Sequence, residues 1–146
     1  MEKMIEIGDK KVGFKATGGL PYRYKCQFNR EVLSDLMEYE KCVSDRARTQ
    51  MKSGTGKVKI SPADFDMSKL NIETLYNILW SMAKTYDNSI PPPLDWLDTF
   101  DVFPVFEIWS QVQDIFYANL KIDRKNAPAA AAPNRQQRRS SQLKNS

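Results

Sequence analysis

Residues 90–109 read IPPPLDWLDTFDVFPVFEIW, and this stretch decides where the two strongest helical patterns of the chain end and begin. Three consecutive prolines end a helix, because proline lacks the backbone N–H and restricts the residue before it. The following LDWLDTF predicts a short helical turn. Asp101 is then the expected N-cap of the last helix, and Pro104 falls in its first turn, where a missing N–H costs nothing. The stretch therefore predicts a corner between two helices.

Apolar residues on both sides of this corner repeat at helical spacing. The first helix is predicted over about residues 69–87, with Ser68 or Asn71 as its cap, and the second over about residues 102–122. Their apolar stripes contain Ile72, Leu75, Tyr76, Leu79, Met82, Ala83 and Tyr86 in the first, and Val105, Ile108, Trp109, Val112, Ile115, Phe116 and Leu120 in the second. We expect both stripes to face the core, together with Trp80.

The first third of the chain predicts a β-hairpin followed by two helices. Apolar residues alternate over residues 4–16, and a Gly-Asp pair supplies the turn. An isolated hairpin is marginal in water, so its apolar face must pack on other elements. Helices are expected over about residues 20–28 and 30–43, with Asn29 as a left-handed joint between them. The apolar stripe expected in the second of them contains Val32, Leu33, Leu36, Met37 and Val43.

Two segments lack a helical or strand period. Residues 44–66 are polar, basic and dotted with glycine, which predicts a mobile loop with a short strand at Val58–Ile60. Residues 124–146 contain one leucine, no aromatic residue and no acid, so we expect a disordered basic tail that cannot offset the entropy of ordering. The expected fold class is mainly α with a short N-terminal β-hairpin (α+β), in a single folded domain over residues 1–123.

Charge is distributed in three blocks along the chain. The 146 residues carry a net charge of +4. Residues 1–59 hold 13 Lys/Arg against 8 Asp/Glu, residues 60–123 hold 3 against 10, and residues 124–146 hold 6 against none. The net charges of the blocks are therefore +5, −7 and +6, and the corner at residues 90–109 lies in the acidic one.

The sequence contains no recognisable catalytic or cofactor-binding pattern. It has no histidine, which removes the commonest general base, the usual Ser and Cys triads and most zinc sites. SGTGK at residues 53–57 fails the phosphate-loop pattern, because Met51 and Val58 stand where glycine and Ser/Thr are required. Cys26 and Cys42 are expected to be buried free thiols. We therefore expect neither enzymatic activity nor a cofactor.

Metal and membrane binding are not expected either. Asp95, Asp98 and Asp101 recur every third residue, but the glycine and distal glutamate of a calcium loop are absent, so capping and solvation explain them. No apolar run approaches the roughly 18 residues of a membrane span, and the N-terminus has no signal-peptide core. These features predict a cytoplasmic protein.

Residues 94–109 carry more large apolar side chains than one short segment is expected to bury. They are Leu94, Trp96, Leu97, Phe100, Val102, Phe103, Val105, Phe106 and Trp109. A small domain has a limited interior, and exposed apolar patches rimmed by acid mark interaction sites. The candidate partner-binding residues are Trp96, Asp98, Phe100, Asp101, Phe103 and Phe106.

Two motifs together carry a family resemblance. The first is IEIGDKKVGFKATGGLPYRYKCQFNREVLSDLMEYEK, a hairpin ending in Ala-Thr, then a Tyr-Arg segment and a helix of the form LxDLxxYEK. The second is a helix ending in MAKTYDNSIPPP, followed by WLDTFD. Over residues 4–120 the chain thereby resembles the tail assembly chaperones of long-tailed, non-contractile phages of Gram-positive hosts. The matching residues are Ala16, Thr17, Tyr22, Arg23, Tyr24, Phe28, Leu33, Asp35, Leu36, Glu40, Trp96, Leu97, Asp98, Phe100 and Asp101.

The chain departs from the family pattern at two places. Asn29 stands where glycine is expected before a basic residue, and asparagine also tolerates the left-handed conformation. The basic segment 44–60 looks like an insertion.

The resemblance implies a non-enzymatic role in virion assembly. Such chaperones keep the very long tape measure protein soluble, help tail tube subunits polymerise around it, and are absent from the finished particle. Many are made in a short form and a frameshifted longer form, and this chain resembles the short form. The implied partners are the tape measure protein, the tail tube protein and, through self-association, further copies of the chain.

Two other functions stay open from the sequence. The basic tail and the basic first block fit a small nucleic-acid-binding regulator, since clustered cations bind phosphates by releasing counterions. Nucleic acid is the less favoured partner, because the tail lacks interleaved aromatic residues and no helix-turn-helix or zinc-finger pattern is present. The third function is that of a structural virion protein, such as a head–tail joining component.

Overall fold

The computed structural model describes residues 1–122 and confirms the expected class, with an N-terminal β-hairpin followed by helices. The strands are β1 (Glu2–Ile7) and β2 (Lys10–Lys15), and the helices are α1 (Leu20–Phe28), α2 (Val32–Lys41), α3 (Asp45–Lys52), α4 (Glu73–Tyr86), α5 (Pro93–Leu97) and α6 (Val105–Asn119). A 3₁₀ turn covers Pro62–Asp64. The tail expected over residues 124–146 lies outside the described residues.

The hairpin has the two-residue turn that its sequence predicts. Ile7 pairs with Lys10 across the turn, and Gly8 has a φ of 64°, which glycine adopts without steric cost. Its apolar face is buried and β2 packs against α4, so the hairpin is stabilised by the helices. On β2, a Cβ at Gly13 would overlap the Tyr86 ring of α4, and only glycine allows this close approach.

Helix α4 lies at the centre of the fold. It contacts β2, α1, α2, α5 and α6. Its fully buried apolar side chains are Leu75, Ile78, Leu79 and Met82, which belong to the same hydrophobic core as the buried residues of α6. Trp80 and Trp109 are buried, as the helical stripes predict. Burying one large apolar side chain contributes about 1.5–3 kcal/mol, so these two helices supply a large share of the core.

The joint between α1 and α2 forms as predicted. Pro21 occupies the first turn of α1, and Asn29 ends that helix with φ 55° and ψ 38°. Three of the five residues in the apolar stripe predicted for this helix are buried, and one of the three, Val43, lies beyond the helix end. Val32 and Leu36 are buried, whereas Leu33 and Met37 are exposed because they lie one position further round the helix.

The loop predicted over residues 44–66 is wrong for its first part, which forms α3. Ser44 caps this helix, since its Oγ accepts a hydrogen bond of 3.0 Å from the Ala47 N–H. Ala47 and Met51, one turn apart, are buried, and α3 packs on α6. Only two core-facing apolar residues were available as a signal, too few for a periodic pattern.

The strand predicted at Val58–Ile60 is also wrong, because this stretch has no regular structure. Both side chains instead pack at half-burial against the core. The strand-like contact nearby is an isolated antiparallel bridge between Val43 and Phe65.

Both long helices begin later than predicted. Helix α4 begins at Glu73, whose N–H donates to the Asn71 side chain at 3.0 Å. Helix α6 begins at Val105 with Pro104 at the N-cap, so the expected cap at Asp101 is wrong. The reason is Pro104 itself, because a proline disfavours the helical conformation of the residue before it.

Candidate partner-binding surface

Trp96 was predicted to be a partner-binding residue, but only 4% of its surface is exposed. Its ring meets Phe100 edge-on at 5.2 Å and Phe103 at 5.5 Å between centroids. Phe103 in turn packs on Tyr76 of α4 at 5.7 Å. Edge-to-face pairs of this kind add to the stability of the burial itself. These aromatic side chains therefore anchor the corner to α4, and Trp96 belongs to the core.

Phe106 lies apart from this cluster. Its ring packs on Phe65, 5.1 Å between centroids, and it lines a separate cleft with Val58 and Ile60. The structure thus brings together Trp96, Phe100 and Phe103 from the predicted site, and places Phe106 elsewhere.

The exposed apolar side chains of the corner are aliphatic. Leu94 is 69% exposed and Val102 is 73% exposed, whereas Phe100 and Phe103 are half-buried. The nearby carboxylates Asp95, Asp98 and Asp101 are exposed, as expected for solvated acids. The surface at residues 94–102 therefore combines two prominent apolar side chains with three negative charges.

A groove lies beside this surface, between the hairpin and the corner. One cleft of about 500 Å³ is lined by the hairpin turn and by residues 99–102 and Pro104. A second cleft of about 370 Å³ is lined by β2, the end of α4 and residues 96, 99 and 100. Lys10, Thr99 and Phe100 line both clefts, so they stand at the boundary between them.

Lys10 crosses the groove. Its Nζ donates a hydrogen bond of 2.6 Å to the Thr99 carbonyl and lies 5.0 Å from the centre of the Phe100 ring. A cation over an aromatic face is attracted by the ring's quadrupole. The contact cannot be predicted from the sequence, because nothing local links residues that are 89 positions apart.

The buried charged groups elsewhere are paired, which fits a structural role. Asp35 accepts hydrogen bonds from the Tyr24 hydroxyl at 2.7 Å and from Arg30 Nε at 2.9 Å. Burial raises the pKa of the Asp35 carboxyl, but the hydrogen bonds from Arg30 and Tyr24 outweigh burial and hold it below its ordinary value. This cluster joins α1 to α2.

A second buried carboxylate joins three helices. Glu40 on α2 accepts a hydrogen bond of 2.8 Å from the Tyr117 hydroxyl on α6 and pairs with Arg48 on α3 at 3.4 Å. Arg48 Nη2 also donates to the carbonyls of Glu40 and Val43, each at 3.0 Å. Arg48 thereby adds a partner to the Glu40 carbonyl near the end of α2 and to the Val43 carbonyl just beyond it.

The two cysteines differ in exposure. Cys42 is buried, and burial raises the pKa of its thiol. Cys26 is exposed, so the prediction of two buried thiols is wrong for this residue. It lies on the outer face of α1, four positions after the exposed Tyr22.

Comparisons with known protein families, with curated proteins and with solved structures find no match to this chain. Within residues 1–122, the helices are too short or too polar to cross a membrane. Any assignment of function therefore rests on the residue patterns and on the surface described above.

Proposed function

We propose that this chain is a tail assembly chaperone of a long-tailed, non-contractile phage. It binds the tape measure protein in the cytoplasm of the host bacterium, keeps it soluble and promotes polymerisation of the tail tube around it. The observation that carries this proposal is the residue pattern over 4–120, in which the LxDLxxYEK helix and the WLDTFD corner follow the family's order.

The surface of the corner is compatible with such a role. A tape measure protein is long and helical with apolar patches. It therefore needs a partner that covers apolar surface and binds segments of many different sequences. Leu94 and Val102 offer exposed aliphatic area, and the neighbouring acids attract basic amphipathic segments.

Exposed methionines in other parts of the chain offer further adaptable apolar surface. Met4, Met37 and Met67 all carry exposed side chains, and methionine adjusts its conformation to varied partners. Each contact of this kind is weak, which allows the client to be released when tube subunits polymerise.

Co-expression with the tape measure protein tests the proposal directly. We expect a clearly larger soluble fraction of the tape measure protein with this chain than with an unrelated protein of similar size and charge. Equal solubility in the two cultures would contradict the proposal.

Two further measurements separate the alternatives. Mass spectrometry of purified particles should not detect this chain if it is a chaperone, and should detect it if it is a structural virion protein. A gel-shift assay with generic DNA at low salt should show no complex, whereas a salt-dependent complex would favour the nucleic-acid-binding regulator.

A further inference from the structure

The Lys10 ammonium reaches across the groove and contacts Thr99 and Phe100 on the opposite wall. The Thr99 carbonyl accepts its hydrogen bond, and the Phe100 ring lies beneath it. Asp9 and Asp101 line the same cleft, and both are exposed. The carbonyl and the aromatic face contact the ammonium directly, and the two aspartates add negative charge to the lining of the cleft, so the environment favours a positive charge.

Lys10 is held in this site by weak contacts. It is an exposed residue at the first position of β2, and its backbone, rather than its side chain, pairs with β1. A lysine side chain loses much rotamer freedom when it is held in place, which offsets part of an exposed hydrogen bond and cation–π contact. A competing cation can therefore displace it.

An arginine would fit the same site better than Lys10 does. Its planar guanidinium stacks on an aromatic ring while donating several hydrogen bonds in fixed directions, whereas an ammonium acts as a point charge. Lys10 is one of three residues that line both clefts, so displacing its side chain opens part of the boundary between them.

We propose that the Lys10 ammonium fills a subsite for a basic side chain. When a partner segment binds, a basic side chain of that segment takes the place of Lys10. The partner is a segment carrying arginine or lysine beside apolar residues, which would lie in the groove with its apolar side chains near Val102. This proposal rests on the proposed function, since it names the chemistry of the client segment that the corner receives. Charge complementarity supports it, because Asp9 and Asp101 line one cleft and Asp87 lines the other, and once Lys10 is displaced they face a single remaining cation among the described residues, Lys11.

The subsite is tested first without any client, in the full chain. The probe is N-acetyl-arginine methylamide, and its control is the citrulline analogue, which has a similar shape and no charge. In Lys10→Met, we expect the arginine probe to shift the backbone amide NMR signals of Thr99, Phe100 and Asp101, and to bind roughly two- to fivefold more tightly than in the unmodified chain. Citrulline should cause little change in either protein.

Matched variants make the result specific. Lys41→Met removes an exposed lysine of α2 that lines neither cleft, so the arginine probe should bind this variant as it binds the unmodified chain. The double variant Lys10→Met and Asp101→Asn should bind the arginine probe more weakly than Lys10→Met alone. Equal shifts with arginine and citrulline, or no tighter binding in Lys10→Met with its circular dichroism unchanged, would overturn the proposal. Should Lys10→Met lose its structure, Lys10→Gln replaces it in the same comparison.

The client experiment separates failure of the subsite from failure of the function. If co-expression with the unmodified chain keeps the tape measure protein soluble, Lys10→Met should retain at least as much of it and Asp101→Asn should retain less. If the unmodified chain and both variants retain the same amount of soluble tape measure protein, the proposed subsite is contradicted and the chaperone function is not. A tape measure protein that stays insoluble with every variant contradicts the chaperone function, and the arginine probe still decides the subsite.

Discussion

Asp35 is the buried charge on which the N-terminal helices depend. Only 5% of its surface is exposed, and its carboxylate accepts hydrogen bonds from Tyr24 and Arg30. Its folded-state pKa is below the ordinary value, so the carboxylate contributes stability above the pKa of the unfolded chain. That contribution is lost as the pH falls through the lower folded-state pKa, which makes the cluster sensitive to acid.

Replacing Asp35 by asparagine tests this linkage. We expect Asp35→Asn to lower the free energy of unfolding by about 1–3 kcal/mol at pH 7, because a charge-assisted pair is removed. The difference from the unmodified chain should begin to shrink below about pH 4, where the carboxyl of the unfolded chain takes up a proton before that of the folded protein. Urea unfolding at several pH values measures both effects. Asp95→Asn, at an exposed carboxylate of α5, is the control, and an equal pH response of the two variants would contradict the prediction.

Trp96 is the residue whose role the structure changes most. Because this side chain is buried, Trp96→Ala should lower the free energy of unfolding by about 3–5 kcal/mol. Leu94→Ala, on the same short helix but exposed, should cost about 0.5 kcal/mol or less. Chemical unfolding followed by circular dichroism measures the two. If Trp96→Ala is as stable as Leu94→Ala, the assignment of Trp96 to the core is contradicted.

Helix α3 shows how a short element forms with few apolar residues of its own. Ser44 both caps the helix and donates a hydrogen bond of 2.8 Å to Asp64, which also pairs with Arg46 at 2.8 Å. At its other end, Gln113 of α6 donates to the Met51 carbonyl at 2.6 Å. Polar contacts to distant segments therefore complement the burial of Ala47 and Met51.

Removing the cap should loosen α3 selectively. We expect Ser44→Ala to lower the free energy of unfolding by about 1–3 kcal/mol, since the N-cap contact and the hydrogen bond to Asp64 are both lost. Hydrogen exchange should quicken over residues 45–52 and change little in α4. Ser34→Ala, at an exposed position of α2, is the matched control. Uniform quickening across the whole chain would show that α3 does not open as a separate unit.

Residues 1–122 combine a core of helices and hairpin with an exposed acidic corner. The aromatic residues hold the corner to α4, and this leaves Leu94 and Val102 on its outside. A rigid support under exposed aliphatic side chains suits a surface that binds and releases a client. The proposed client surface at the corner therefore consists of these two residues rather than Trp96, which is buried.

The double variant Leu94→Ala and Val102→Ala tests this surface. We expect it to retain clearly less tape measure protein in co-expression, because about 2 kcal/mol of apolar contact is removed if the client buries both side chains. Its free energy of unfolding should change by less than about 1 kcal/mol, since both residues are exposed. Tyr22→Ala removes an exposed aromatic side chain from α1 as a control. Similar loss of the client in the control would place the contact surface elsewhere.

The sequence by itself determined the hairpin, the long helices and the corner between them. These features follow from local rules: alternation over the strands, helical stripes in α4 and α6, and prolines at positions 91–93 that forbid a continuous helix. Even the left-handed joint at Asn29 can be predicted, because it depends on the residue's own backbone preference.

Only the tertiary structure decided which of these residues form the surface. Trp96 is buried because Phe100 and Phe103 pack around it, and α3 is a helix because α6 offers a face to Ala47 and Met51. The contact from Lys10 to Thr99 joins two distant parts of the chain. Burial and groove geometry depend on contacts between residues that are far apart in sequence. The local pattern therefore predicts the helices and strands, whereas the surface that they form together depends on tertiary packing.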